Sequence, residues 1–276
     1  MIDIWQNCTL LLQTIMKINN NINIYNGDCL ELMKDIQDKS VSLILCDLPY
    51  AITGMSWDSL IPFDKLWNEY NRILKDDGNV VLFCSGLFTL KVIESNLQHF
   101  RYKLIWKKNV PTGMSGKNRP MKYYEEICVF NKSSNLAVYN PQPKERVGVG
   151  KACYNYEHYC GESNHIKLEK KPKLYDPDFV RPSDVLEFNV VPNRKKLEGR
   201  KKHPTEKPVQ LLEYLIKTYS NENDLVLDNC MGSASTGEAC FLQNRKFIGI
   251  EKNECFFDSC VYRLKSLVEE KANVLF

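Results

Sequence analysis

The chain has 276 residues, 43% of them hydrophobic and 26% charged, which fits one large α/β domain with an insertion and excludes a fibrous or low-complexity polymer. A net charge of +3 excludes a uniformly polycationic binder, yet residues 132–202 carry fifteen Lys/Arg against nine Asp/Glu, a basic segment on a slightly acidic remainder that suits either a polyanion-binding face or a solvated lysine-rich insertion. No stretch approaches the ~20 apolar residues of a membrane span, and the eleven cysteines, scattered without a Cys-x-x-Cys, read as reduced, buried thiols of a cytosolic protein.

In chain order, residues 2–16 space Ile4, Trp5, Cys8, Leu11, Leu12 and Ile15 as an amphipathic helix without the marks of a signal peptide. Met16 is an alternative start that would make the residues before it an upstream extension. Ile22–Tyr25 alternates like a strand and ends at Asn26-Gly27-Asp28. Leu30, Leu32, Met33 and Ile36 suggest a short helix. The run Val41–Cys46 reads as a buried strand that delivers Asp47-Leu48-Pro49-Tyr50. Pro62 opens a helix through Leu74 that Asp76-Asp77-Gly78 stops, and Asn79–Cys84 is the next strand. A helix follows to about Gln98. Tyr102–Lys108 and Glu126–Asn131 are strands flanking a Gly/Lys/Arg loop, Thr112–Lys122. Residues 132–202 lose sustained periodicity apart from a strand at Asp184–Val191, but aromatics such as Tyr154, Tyr156, Tyr159 and Phe179 argue for an ordered lobe. Within it Cys153, His158, Cys160 and His165 cluster, at spacings that match no common zinc module.

Regular structure resumes at His203-Pro204-Thr205-Glu206-Lys207-Pro208, where Thr205 is placed to cap a helix with Glu206 in its first turn. That helix buries Leu211, Leu212, Leu215, Ile216 and Tyr219. Asp224–Cys230 is a strand, Met231–Gly237 a small-residue turn into a helix, Lys246–Glu251 a strand, and the last helix buries Phe256, Phe257, Cys260, Val261, Leu264, Leu267 and Val268. Alternating strands and helices argue for a doubly wound sheet with helices on both faces.

Two places carry chemistry. Asp47–Tyr50 puts an acid, a proline and an aromatic ring at a strand's carboxyl end, where α/β sheets bind ligands. Downstream, Asp228-Asn229-Cys230-Met231-Gly232-Ser233-Ala234-Ser235-Thr236 is a strand end, a small-residue loop and a helix N-terminus, with free amides for a ligand that approaches the backbone. About twenty residues on, Glu251 ends the next strand, where a ribose diol is bonded in nucleotide-binding folds. The loop has neither the dinucleotide glycine pattern nor a phosphate-cradling lysine. A nucleoside cofactor without a pyrophosphate fits it, and S-adenosylmethionine is the obvious one.

Together these segments resemble the DNA amino-methyltransferases, in the permuted (beta) group that carries its catalytic motif before its cofactor motif. Asp47–Tyr50 resembles the family's Asp-Pro-Pro-Tyr, the segment from Asp228 its Asp-Pro-Phe-x-Gly-Ser-Gly-Thr-Thr, His203–Pro208 its His-Pro-Thr-Gln-Lys-Pro, and Gly27-Asp28 its Gly-Asp pair. The resemblance covers about residues 22–131 and 203–268. It implies a circularly permuted S-adenosylmethionine-dependent methyltransferase fold with a mixed seven-stranded sheet. It divides the chain into an extension (1–21), a catalytic half (22–131), a target-recognition insertion (132–202) and a cofactor-binding half (203–276). It assigns Asp47, Leu48, Pro49 and Tyr50 to catalysis. Asp28, Cys29, His203, Thr205, Lys207, Asp228, Cys230, Gly232, Ser233, Ser235, Thr236 and Glu251 go to S-adenosylmethionine, and no metal is implied. Lys117, Arg119 and Lys122, with the basic lobe, are expected to contact double-stranded DNA.

The expected reaction is methylation of adenine N6 in a flipped-out base, with Asp47 and the Leu48 carbonyl accepting the amine's two N–H groups and Tyr50 stacking on the base. Cytosine N4 is the alternative, an RNA or protein-amide methyltransferase is a rival, and a catalytically silent DNA-binding relative is a rival of another class. A cytoplasmic location in a bacterium or phage, a homodimer and a companion restriction endonuclease belong to the same resemblance. Three residues depart from the family pattern: Leu48 for proline, Cys230 for the phenylalanine that packs on the cofactor, and Ala234 for glycine. Ala234 is tolerable in place of that glycine if its φ is negative.

Overall fold

The computed structural model describes residues 14–50, 59–112, 120–133, 136–145, 179–192 and 205–274. The sheet grows around β3 (Val41–Cys46), which is buried along its whole length. Its side chains alternate, Leu43 and Leu45 entering one apolar core, Ile44 and Cys46 the other. A strand covered on both faces has no solvent side, which is why this segment reads as a continuous apolar run. β2 (Ile22–Asn26), β4 (Leu74–Cys84), β10 (Leu225–Asp228) and β11 (Lys246–Glu251) run parallel with it in the spatial order β2-β11-β10-β3-β4. β5 (Phe100–Thr112) and β6 (Lys122–Asn131) complete the seven expected strands, β6 antiparallel to both β4 and β5.

Two short strands extend this sheet to nine. β1 (Thr14–Lys17) lies antiparallel to β2, and β9 (Val185–Glu187) parallel to β5. Thr14, Ile15 and Met16, which the sequence spacing put in a helix, are therefore strand residues; residues 2–13 of that segment lie outside the described residues.

Helices cover both faces. α1 (Cys29–Leu32), α2 (Phe63–Ile73) and α3 (Leu87–Ser95) pack on one side, and α4 (Val209–Tyr219), α5 (Ser235–Leu242) and α6 (Glu254–Val274) on the other. α2 buries Leu66, Trp67, Tyr70 and Ile73, the stripe its spacing predicts. It ends at Ile73 rather than at the Asp-Asp-Gly turn, because Leu74 is itself buried and pairs with Val41 as the first residue of β4; Asp76-Asp77-Gly78 falls in an irregularity of that strand.

α4 likewise differs from expectation. It begins at Val209 with Pro208 at its cap, so Thr205 is not the N-cap and Glu206 is outside the first turn. Pro208 sits at φ −63°, the angle its ring imposes, and sets the helix start. The residues before it are held by side chains instead: Glu206 by Arg263 and Lys207 by Asp47.

α5 is clamped to β11 through Phe247, which is fully buried. A Cβ at Gly237 would stand 2.8 Å from the Phe247 ring and 3.2 Å from Leu264. Alanine is the better helix former by about 1 kcal/mol, yet Gly237→Ala is expected to destabilise the protein by about 1–3 kcal/mol through overpacking, read as a lower urea midpoint.

The chain divides into two compact units at 140/141 and 183/184. Residues 132–140 and 184–192, assigned to the insertion from sequence, belong to the larger unit. In the smaller one, β7 (Lys144–Glu145) pairs antiparallel with β8 (Phe179–Val180). Cys153, His158, Cys160 and His165 lie outside the described residues. No helix among the described residues is long and apolar enough to cross a membrane.

Candidate active site

Five parallel strands end on one edge of the sheet, and the residues that follow those ends enclose a cleft of about 1110 Å³. Such an edge is where open α/β sheets take their ligands.

One half of the cleft is built on β10, β11 and β2. Asp228 ends β10; its Oδ2 accepts the Thr236 hydroxyl at 2.7 Å and its Oδ1 the Cys230 amide at 3.2 Å. Burial nonetheless pushes its carboxyl up to about 6. The loop beyond turns through Gly232 (φ 53°) and Ala234 (φ 58°). Ala234 therefore does not meet the condition of a negative φ under which it replaces the glycine without strain. The turn closes with the Ala234 amide on the Met231 carbonyl at 2.8 Å, and the left-handed Ala234 then leads into α5 as its N-cap. For alanine that conformation costs about 1–2 kcal/mol, offset by a methyl group wholly buried in the core.

Glu251 ends β11 and ties this loop down. Its Oε2 accepts the Gly232 amide at 2.9 Å and its Oε1 the Asn253 amide at 2.7 Å. Burial pushes this carboxyl up to about 7 against those two bonds. Asp28, after β2, caps α1 by accepting the Leu30 amide at 3.0 Å and pairs with Lys252 at 3.1 Å. Burial works to raise its pKa, but Lys252 and the α1 amides hold it below the ordinary value. Cys29 and Cys230 line the cleft above Cys46. Hydrogen bonding to Cys230 and burial push the Cys29 thiol far up, and burial pushes Cys46 up to about 12, so these thiols form a neutral, protonated wall.

The other half is built on β3, β4 and β6. The Tyr50 hydroxyl donates to Asp47 Oδ1 at 2.8 Å, and the Tyr50 ring stacks on Phe88 with centroids 4.5 Å apart. Phe88 therefore supports one face of the ring. Lys207 donates to Asp47 Oδ2 and lies 3.5 Å from Glu125 Oε2, while Lys108 pairs with Glu125 Oε1. Burial raises the Asp47 carboxyl, with Lys207 opposing; burial also disfavours the Lys207 ammonium, but Asp47 and Glu125 outweigh it and lift its pKa to about 12. Leu48 lines the cleft and is buried, packed into the core. Lys122 donates to the Ser85 hydroxyl at the cleft wall, 5.3 Å over the Tyr124 ring.

Every described residue that the sequence assigned to a site lines this one cleft. His203, Lys117 and Arg119 lie outside the described residues. Sequence reasoning missed Glu125, Lys108 and Asn229. Asn229 is buried and its Oδ1 accepts the Tyr70 hydroxyl at 2.6 Å, fixing the start of the loop against α2. The signal for Glu125 was available, an acid where a buried strand begins, but its partners are distant in sequence.

The cleft suits a nucleoside bearing an amino-acid tail: carboxylates at two strand ends, amides along a small-residue loop, a neutral wall, and a volume at the upper end for small-molecule sites. The DNA methylase profile with N6 and N4 specificities matches residues 41–261. The chain belongs to the N6/N4 DNA methylase family. Among relatives of this methylase, DNA adenine methyltransferase YhdJ of Escherichia coli K12 is 29% identical over 271 residues, covering 89% of this chain and 83% of that protein. Type II methyltransferase M.HinfI of Haemophilus influenzae is 25% identical, covering 91% and 70%. Among solved structures, the M1.HpyAVI–SAM complex superposes with a TM-score of 0.57 at 26% identity, covering 88% of this methylase and 99% of that chain. The cytosine-N4-specific PvuII DNA methyltransferase superposes with a TM-score of 0.63 over 92% and 94%, at 18% identity, a likeness of fold.

Proposed function

We infer that the protein is a site-specific DNA methyltransferase that uses S-adenosylmethionine to methylate the N6 amine of adenine. The observation that carries this reading is the meeting, in one cleft, of Asp47 and Leu48 with the strand-end acids Asp28 and Glu251 and the 228–236 loop.

Asp28 and Glu251 would hold the cofactor, Glu251 at the ribose, with the 228–236 loop beside it. When bound, it supplies an electrophilic methyl group on a sulfonium sulfur. An exocyclic amine is a weak nucleophile because its lone pair is delocalised into the ring. Asp47 and the Leu48 carbonyl accept its two N–H groups and hold the lone pair toward the methyl. The amine nitrogen would become acidic on gaining the methyl group, and Asp47 would accept its proton and pass it to water. Tyr50, backed by Phe88, offers its ring to the extruded base and offsets part of the few kcal/mol that flipping costs. Lys122 at the cleft wall, with Lys117, Arg119 and the basic 132–202 segment, binds phosphates of duplex DNA. The adenine assignment is supported by the printed name of the E. coli relative. The type II names of other relatives support a companion restriction endonuclease. Action in the cytoplasm follows from the substrate, and size-exclusion chromatography reads whether the chain works as a homodimer.

Nucleoside mass spectrometry of unmethylated duplex DNA, incubated with protein and S-adenosylmethionine, tests the reading. N6-methyladenine is expected from the wild type. Asp47→Ala should lower the rate by at least about 10²–10³-fold, the scale of losing one preorganised electrostatic contact, with cofactor affinity little changed by calorimetry. N4-methylcytosine would overturn the base assignment, and unmodified DNA of all short sequence contexts would overturn the DNA reading.

A further inference from the structure

The family resemblance puts Lys207 beside the cofactor, but its ammonium lies on the catalytic carboxylate. Both oxygens of Asp47 are engaged, Oδ1 by the Tyr50 hydroxyl at 2.8 Å and Oδ2 by Lys207. An amine that must donate to Asp47 meets a cation already in place. The same ammonium lies 3.5 Å from Glu125 Oε2, an oxygen shielded from solvent that accepts no hydrogen bond. Lys207 thus holds one acceptor and nearly reaches a second. Its side chain is only 9% exposed, and its Nζ sits 5.0 Å from the centre of the Phe83 ring. A buried ammonium leaving one carboxylate needs another partner, since an unpaired buried charge is strongly destabilising. Glu125 supplies it after a shift of under about 1 Å, from the observed separation to an ordinary charge-assisted contact.

We propose that Lys207 is a positioning residue acting as a movable counter-ion: it holds Asp47 in the free protein and passes to Glu125 when the target amine arrives, freeing Asp47 Oδ2 for the amine's N–H. The idea rests on the methyl-transfer reading above. The chain Asp47, Lys207, Glu125, Lys108 alternates in sign and sums to zero, so the exchange brings no net charge into the site. Lys108 keeps Glu125 in place through the exchange.

The groups facing Asp47 set the sign of the test. Lys207, ahead of α4, stabilises its charge; Glu125 on β6 and Asp228 on β10 oppose it. Tyr50 donates to it, and Cys46 on β3 and Cys84 on β4 are neutral thiols. Removing Lys207 therefore raises the pH at which Asp47 ionises. Removing the charge of Glu125 does not.

The first arm is ¹³C-carboxyl NMR of aspartate-labelled, full-length protein without cofactor, with Asp47 assigned by Asp47→Asn. The Asp47 midpoint is expected to rise by at least about one pH unit in Lys207→Gln, a tenfold change in its ionisation equilibrium, to stay near the wild-type value in Lys207→Arg, and to fall in Glu125→Gln, where an opposing charge is gone. The second arm is the pH profile of single-turnover methyl transfer. Lys207→Gln is expected to move its acid limb upward, with rate recovered at high pH. Glu125→Gln is expected to lower the plateau about tenfold, the effect of losing one charge-assisted contact, while cofactor affinity holds and the acid limb does not move upward. An unmoved Asp47 midpoint in Lys207→Gln overturns the counter-ion role, and a full plateau in Glu125→Gln overturns the transfer to Glu125. No methyl transfer by the wild type overturns the functional reading and with it the exchange step, while the titration still decides what holds Asp47.

Discussion

The affinity of the protein for S-adenosylmethionine is expected to fall about tenfold from pH 8 to pH 6, since only the ionised fraction of Glu251 is competent to accept a ribose diol. Its carboxyl is pushed up to about 7 by burial, with the Asn253 and Gly232 amides opposing and nearby Asp228 adding to the rise. Below that value the acid is mostly neutral, and its proton competes with the diol. Isothermal titration calorimetry across this range reads the slope. Glu251→Gln should abolish the pH dependence and weaken binding by roughly 10–100-fold, the scale of lost hydrogen bonds to a charged group. It also sets an amide NH₂ against the Gly232 or Asn253 amide that the carboxylate now accepts.

The same shift acts on stability with the opposite sign. A carboxyl raised from 4.5 to about 7 on folding favours the native state in its protonated form. That contribution is complete below the unfolded value and is lost as pH rises through the folded one, about 3 kcal/mol in all. Urea unfolding of the free protein should show this loss in the wild type and not in Glu251→Gln. A bound cofactor with the ionised acid as its partner compensates through binding, so the difference between free and loaded stability widens with pH.

The second large effect is structural. Arg263 on α6 is 8% exposed and joins three pieces of chain: Glu206 at 2.8 Å, Glu238 on α5, and the Ser233 carbonyl of the cofactor loop at 3.0 Å. Arg263→Ala would leave two carboxylates with their shared cation gone, at a cost of about 3–5 kcal/mol. The melting temperature is expected to drop by about 10 °C for a chain of this size. Combining Arg263→Met with Glu206→Met and Glu238→Gln should recover most of it, since it is the uncompensated charge that destabilises. Because Glu206 adjoins Lys207, Arg263→Ala should also loosen the ammonium on Asp47 and lower turnover more than stability alone explains.

How much of this was legible in the sequence follows from the range of the interactions. β3, β10 and β11 were readable because strand burial writes a local apolar run, and each run hands over an acid or a small-residue loop at its end. α2 and α4 were readable as bodies because their buried stripes recur at helical spacing. Their ends were not. Leu74 reads as the last helical residue until its pairing with Val41 makes it strand, and Thr205 is a good cap in isolation but stands in a segment whose side chains are drawn to Arg263 and Asp47. The left-handed φ of Ala234 is not announced by its residue type, since alanine ordinarily avoids that region. The pairing of Lys207 with Asp47 and Glu125 joins residues far apart in sequence, so only the folded sheet reveals that the lysine lies on Asp47.

The boundaries of the smaller unit carry a last consequence. Asn140 is fixed just before the exit: its amide donates to the Thr218 carbonyl at 2.8 Å and its side chain to the Ser220 carbonyl at 3.1 Å, both at the end of α4. Re-entry is fixed as firmly, with the Asp184 carbonyl accepting the Ile105 amide of β5 at 2.8 Å just ahead of β9. The intervening stretch is therefore a cassette spliced between two anchored posts. Cutting and rejoining at those posts interrupts no strand of the nine-stranded sheet, so such a cassette is free to diverge, or to be grafted from one chain to another, while the sheet and the chemistry at its edge are inherited intact.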